Sequence, residues 1–261
     1  PGLDFETRLF AKPDAADLLR RELAHPRYQV APIAIGTNTD GYQPVEREWR
    51  ISRAILSVLL ETRHPVFITT KSDRLLADLE TLKALAAHNL VFVAISVTTL
   101  DGGTARTLEP RAPHPQKRLD AIARLVDAGV PTQVNISPVI PAITDHEIER
   151  IMAAAARAGA VRASYILLRL PREVSPLFRE WLAVHHPDRA AKVMAIVQSM
   201  RGGRDNDPSF GGRMRGTGVW ADLVRTRFRR AARLHGLAGD APMLRTDLFR
   251  PPQRDGQLAL F

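Results

Sequence analysis

The chain has 261 residues, 45% of them hydrophobic, a formal net charge of +9 and no cysteine. That length and apolar fraction suit one large domain of the α/β-barrel class or two small ones. The missing thiols exclude disulfides, thiolate zinc sites, thiol catalysis and a cysteine-ligated iron–sulfur cluster within these residues.

Apolar runs at residues 30–36, 66–70, 90–97, 131–141 and 164–170 read as strands, with a weaker one at 8–12 before them. Between them lie helical patterns at 15–23, 50–60, 75–85, 116–128 and 145–158. The second places Ile51, Ile55, Val58 and Leu59 on one face. Asp145 and Glu147 to Glu149 enrich the start of the last helix in acid, as its dipole prefers, and Gly129 and Gly159 close helices. Strands apolar on both faces, alternating with helices, predict a parallel sheet covered by helices. Strand signals stop near residue 170, too early for eight units, so the expected fold is α/β, a partial (β/α)6 TIM-like barrel over residues 1–173. Residues 174–237 read as a basic helical extension, with helices near 176–181, 190–200 and 220–234 and a Gly- and Arg-rich loop at 201–218. Residues 238–261 read as an extended tail. Residues 161–261 hold 18 Arg and Lys against 9 Asp and Glu, so the whole excess falls there and residues 1–160 balance. No run approaches the roughly 18 apolar residues that span a bilayer, and no signal-peptide pattern opens the chain. The expectation is a cytoplasmic protein without a membrane partner.

Chemistry on a parallel barrel gathers at the C-terminal ends of its strands, and several predicted ends are polar. They are GTNTDGYQPVE from Gly36, TTKS from Thr69, SVTT from Ser96, NISPVIP from Asn135 and RLP from Arg169. Each residue has a plain structural reading: Thr39 and Asp40 as a helix cap, Lys71 as a solvated loop lysine, Ser96 as a satisfied core hydroxyl. Their common address at one mouth favours a ligand.

These segments, with LEPRAPHPQKRLDAI and NISPVIPAITD, resemble the radical S-adenosylmethionine (SAM) proteins related to spore photoproduct lyase. The nearest likeness is the bacterial branch described as DNA-repair-photolyase-like, over roughly residues 5–235. One departure is Gly41 where the family form has Pro. The resemblance implies the radical SAM type of barrel, holding SAM and a [4Fe–4S] cluster at its mouth. In the intact protein it implies reductive cleavage of SAM to a 5′-deoxyadenosyl radical. It also implies a Cys-x3-Cys-x2-Cys loop upstream. Residue 1 is Pro and the first Met is Met152, so an N-terminal stretch beyond Pro1 is expected; this chain alone lacks the cluster's ligands and is expected to be inactive. Carried over by position, Thr39 and Asp40 would bond the methionine or ribose part of SAM, and Lys71 would approach its carboxylate or sulfonium side. Ser96 would be the polar residue of its strand, Arg111 or Arg118 would pair with the carboxylate, and Ile140 would pack on adenine. These types match a zwitterionic ligand that needs a cation, hydroxyls and one apolar wall.

From Arg201 to Arg233 there are nine Arg and three Asp, a density suited to phosphate backbones. Arg213, Arg215, Arg225, Arg229 and Arg230 are the candidate contacts to DNA or RNA; a solvated basic helix is the alternative. The terminal Gln257-Leu258-Ala259-Leu260-Phe261 is similar to the pentapeptide that binds the bacterial sliding clamp. Gln257 would set register while Leu258, Leu260 and Phe261 fill an apolar groove; a tail docked on its own domain is the alternative. Three functions follow in order: a radical SAM enzyme acting on an unknown substrate, with nucleic acid as the candidate; a non-enzymatic nucleic-acid or clamp adaptor keeping the barrel; and a metabolic barrel binding a phosphorylated ligand. The last is disfavoured because no Gly-rich loop follows the late strands. The eight histidines lack metal-ligand spacing, and the adjacent His185 and His186 read as surface residues.

Overall fold

A computed structural model describes residues 9–209, 212 and 214–252. In chain order the elements are α1 (Ala15–Leu23), β1 (Ile33–Ile35), α2 (Glu46–Trp49), α3 (Ile51–Glu61) and β2 (Val66–Thr70). A 3-10 helix at Asp73–Asp78 leads into α4 (Leu79–Ala86), followed by β3 (Val91–Ser96), α5 (Gly102–Leu108), α6 (Pro115–Asp127) and β4 (Thr132–Val139). Then come α7 (Ile148–Arg157), β5 (Arg162–Leu167), α8 (Val174–His185), α9 (Pro187–Ser199) and α10 (Val219–Leu234). All five strands are parallel and stand in sequence order, β1-β2-β3-β4-β5. This is the partial α/β barrel that the alternation predicts, with five described strands. Residues 9–12 form no strand; Leu9 and Phe10 are exposed, so their apolar side chains meet no sheet. Glycine-rich Gly102–Leu108 is a helix the pattern missed, started by Asp101, whose carboxylate accepts from Thr104 N at 2.6 Å.

Register separates the two faces of the sheet. Val66, Ile68, Val91, Val93, Ile95, Val134 and Ile136 form one core with Leu56, Leu59, Leu82, Leu85, Ile122, Leu125, Ile151 and Met152 from the covering helices. The opposite, concave face is apolar only at its lower end, where Phe67 and Phe92 meet at 5.8 Å. Above them the pairing aligns Thr69, Ala94, Gln133 and Arg162, and then Ser96, Asn135 and Ser164. These polar groups satisfy one another: Arg162 donates to Gln133 at 2.6 Å, Gln133 to Asn135 at 3.0 Å, and Ser164 to Asn135. The expectation of strands apolar on both faces therefore fails on β4 and β5, because an incomplete barrel leaves its inside open.

The lower end of the barrel is strapped by the described part of the tail. Leu237 O accepts from Ala163 N, Gly239 O from Arg162 Nε, Asn89 O from Arg245 N, and Thr62 O from Arg250 N, all between 2.8 and 3.1 Å. Phe249 meets the rings of His64 and Tyr28 at 5.5 and 5.6 Å. His64 is fully buried. Because a carbonyl can only accept, its Nδ1 carries the proton shared with Pro65 O, at 2.9 Å, and Nε2 accepts from Tyr28 at 2.8 Å. Burial pushes the imidazole below its ordinary value of 6.5, partly offset by the Pro65 bond. The unfolded chain then binds this proton more readily, so stability is present above the unfolded value and is lost as pH falls below it. His186, also lowered by burial, acts with the same sign. The urea midpoint is expected to be higher near pH 7.5 than near pH 5.5, with His64→Gln removing part of the difference.

Candidate functional site

The loop after β1 is held to the end of β2 by one carboxylate. Asp40 accepts from Thr70 Oγ1 at 2.7 Å, from Lys71 N at 2.8 Å and from Tyr42 N at 2.9 Å. These bonds bring the two strand ends together at the barrel's upper rim. Asp40 and Lys71, with Arg111, then line one cavity of about 380 Å³ there, together with Ser72, Arg74 and Lys117.

Below the rim lies an ion-pair chain that the sequence reading did not single out. Glu109, only 10% exposed, pairs with Arg118 Nη1 at 2.7 Å and with Lys71 Nζ at 3.6 Å, and accepts from Thr98 Oγ1 at 2.8 Å. Arg118 is 1% exposed; its Nε donates to Pro113 O and its Nη1 to Ser96 O. The guanidinium thus binds the protein from within and holds the carboxylate that in turn faces Lys71. Glu109 sits inside the LEPRAP segment, and only its nine-residue separation from Arg118 along α5 and α6 concealed the pair.

The other candidates are scattered. Thr39 is exposed on the loop. Ser96 is buried on the concave face in register with Asn135. Ile140 is fully buried in the core, and its N donates to Thr144 Oγ1 at 2.9 Å. None of these, and not Arg118, lines the rim cavity. Two further acids went unrecognised. Buried Asp78 accepts from Arg53 Nε at 2.6 Å and from Tyr42 OH at 3.1 Å, and burial together with that carboxylate raises the Tyr42 phenol strongly. Buried Glu147, assigned above to a helix dipole, accepts from Thr99 Oγ1 at 3.0 Å and Leu100 N at 2.5 Å, tying the loop after β3 to α7. Among the described residues no three His, Asp or Glu side chains are grouped to hold a metal ion.

On α10 one arginine leaves the exposed face. Arg227 turns inward, its guanidinium on both oxygens of Glu149 at 2.7 and 2.8 Å, while Leu223 stands 52% exposed on the arginine side. Arg225 pairs with Asp222 at 2.7 Å. Arg215, Arg229 and Arg230 are exposed. Arg213 and the terminal Gln257, Leu258, Leu260 and Phe261 lie outside the described residues. His185 is exposed and His186 half-buried, both against the ring of Trp181. No helix among the described residues is long and apolar enough to cross a membrane.

A partial parallel barrel with a charged upper rim defines a class of ligand-binding α/β barrels. Within that class, the Radical SAM superfamily pattern matches residues 7–155, the stretch that builds the rim, and the chain belongs to that superfamily. It is similar to an uncharacterised protein of Mycobacterium tuberculosis (strain ATCC 25618 / H37Rv), 32% identical over 200 residues, covering 76% of this chain and 59% of that protein. An uncharacterised protein of Methanocaldococcus jannaschii is 30% identical over 115 residues, 44% of this chain and 43% of that one. The chain spans about 59% of the mycobacterial relative's length. Two mutant forms of spore photoproduct lyase share the fold with TM-scores of 0.61 and 0.62 at 11% and 12% identity. They cover 87% and 88% of this chain and 65% and 66% of those chains.

Superfamily membership implies SAM and a [4Fe–4S] cluster. The residues present fit the first: the rim cavity is roomy enough for a ligand of that size, and it offers Lys71 and Arg111 to a carboxylate. They do not fit the second. Thiolates hold such clusters, and this chain has none.

Proposed function

We propose that the chain is the SAM-binding barrel of a radical SAM enzyme that acts on a nucleic acid. The observation carrying the reading is the coincidence of the superfamily match with the rim where Asp40, Lys71 and Arg111 converge. SAM bound there supplies, on one-electron reduction, the 5′-deoxyadenosyl group for hydrogen abstraction. The chain's own residues do the holding. Lys71, kept in place by Glu109, meets the carboxylate of the methionine moiety, and Arg111 stands on the same wall. Asp40 fixes the loop that closes the cavity, with one lone-pair site left after its three bonds. Ser96, Asn135 and Ser164 give the concave face hydroxyl and amide partners. The ligands of a cluster are required from outside these 261 residues, and the chain alone is inactive in this reading. Exposed Arg215, Arg229 and Arg230 support a polyanionic substrate.

The absence of cysteine favours a second reading, an adaptor that keeps the barrel and binds nucleic acid or, through Gln257 to Phe261, the sliding clamp. Protein made from the complete reading frame and reconstituted anaerobically separates the two. The enzyme reading expects about four iron per chain and 5′-deoxyadenosine on reduction with SAM, with turnover falling in Lys71→Ala. Neither iron nor 5′-deoxyadenosine appearing leaves the adaptor. In fluorescence anisotropy with a labelled oligonucleotide, Arg229→Gln/Arg230→Gln is expected to flatten the plot of log affinity against log salt by about two. An unchanged slope would remove α10 from the nucleic-acid surface.

A further inference from the structure

Beside the rim lies a second cavity, of about 300 Å³, between α2, α3 and the 3-10 helix Asp73–Asp78. Four arginines line it, Arg47, Arg50, Arg53 and Arg74, with the acids Glu46 and Asp78. Both acids are turned to donors of the protein. Asp78 is held by Arg53 at 2.6 Å and Tyr42 at 3.1 Å, and Glu46 accepts from Ser52 N at 2.5 Å. Burial raises the Glu46 carboxyl from its ordinary value, partly offset by its bonds from Ser52. Arg47, Arg50 and Arg74, by contrast, make no ion pair and no side-chain hydrogen bond to any described residue. Arg50 also holds a left-handed backbone, φ 50°, where α2 passes into α3. A left-handed residue is a common way to end a helix, and here it separates α2 from α3. Tyr42 and Arg74 line both this cavity and the rim cavity, so the two adjoin.

Guanidinium groups converging without carboxylate partners are matched by an anion with several oxygens in fixed geometry, and the guanidinium fork suits phosphate. We propose that this cavity is a phosphate-binding site, taking one backbone phosphate of the substrate strand next to the SAM cavity. The polynucleotide source rests on the nucleic-acid reading above; the phosphate chemistry does not. Neither the superfamily match nor the basic α10 assigns this site, and it falls in the part of the chain whose net charge is zero.

The test uses the chain with substitutions at two arginines that line this cavity and not the rim cavity. Arg47→Gln/Arg50→Gln is compared with Arg229→Gln/Arg230→Gln and with wild type, after equal unfolding midpoints in phosphate-free buffer show that all three fold. Inorganic phosphate and thymidine 5′-monophosphate are titrated calorimetrically at constant ionic strength, and a labelled oligothymidylate by anisotropy. The expected result is saturable phosphate binding that weakens on the order of tenfold or more in the cavity variant and is unchanged in the α10 variant. Oligothymidylate affinity should fall in the cavity variant as well, its salt slope shallower by about one. Absence of saturable phosphate binding by wild type, or equal binding by the cavity variant, overturns the site. Phosphate binding that depends on the cavity while oligothymidylate binding ignores it overturns only the polynucleotide source and assigns the site to a free nucleotide. Phosphate binding without any oligothymidylate binding removes the nucleic-acid reading and leaves the site standing.

Discussion

Gly36→Ala is expected to destabilise the chain by about 4 kcal/mol, measured as a fall in the urea midpoint at constant slope. Gly36 follows β1 with φ +85°, and a Cβ there would stand 1.9 Å from the carbonyl oxygen of Thr69 and 3.0 Å from its carbon. Both atoms belong to the backbone of β2, so no rotamer change relieves the contact. A left-handed alanine costs about 1–2 kcal/mol by itself. Moving a strand of a packed sheet adds a cost like that of overpacking, about 1–3 kcal/mol. Against a total stability of about 5–15 kcal/mol that is a large fraction. The displacement would also reach Asp40, four residues on, whose bonds to Thr70 and Lys71 close the rim. A loss below about 1 kcal/mol would contradict the close approach of the β1 end to Thr69.

Glu109→Ala is expected to cost about 3–5 kcal/mol, because it leaves the Arg118 charge buried without its carboxylate. Arg118 keeps its bonds to Ser96 O and Pro113 O, but neutral carbonyls do not replace the ion pair. The same change frees Lys71 and removes one acceptor of Thr98. Replacing both partners, Glu109→Leu with Arg118→Met, removes the charge as well as its mate. It should therefore destabilise less than the two single changes summed, and the cycle should give a coupling above about 1 kcal/mol. The exposed pair Arg20–Glu61, with side chains 42% and 48% accessible, serves as the contrast. Breaking it should change stability by no more than about 1 kcal/mol. Additive losses at Glu109 and Arg118 would show that the two do not act as a pair.

The strands were legible because parallel strands under helices must be continuously apolar on the covered face, and residues 66–70 and 90–97 are. The helices were legible by period, with α7 and α10 bounded to within a few residues. Residues 9–12 misled because a short apolar run carries no record of whether a sheet edge is there to receive it. Gly102–Leu108 was missed because its glycines argue against a helix, while the Asp101 cap and the packing of Ala105 decide for one. At the site, Asp40 and Lys71 were visible as polar residues following apolar strands. That Asp40 bonds the end of β2 could not be read, since Thr70 lies thirty residues away. Arg118 was, with Arg111, a candidate partner of a ligand carboxylate; that it is buried against Glu109 depends on the packing of α6.

By itself the sequence determined the class of fold and the polarity of the strand ends, because those follow from local period and from residue types in order; the family it carried only as a resemblance in its motifs. The tertiary structure decided which charges meet. Residues 1–160 carry no net charge, and composition assigned the basic surface to the C-terminal part alone. Folding pairs Asp78 with Arg53 and Glu109 with Arg118, and so brings Arg47, Arg50 and Arg74 to one cavity without carboxylate partners among the described residues. Charge sums are properties of a chain; local potential depends on which carboxylates are already neutralised, and only the packed elements set that.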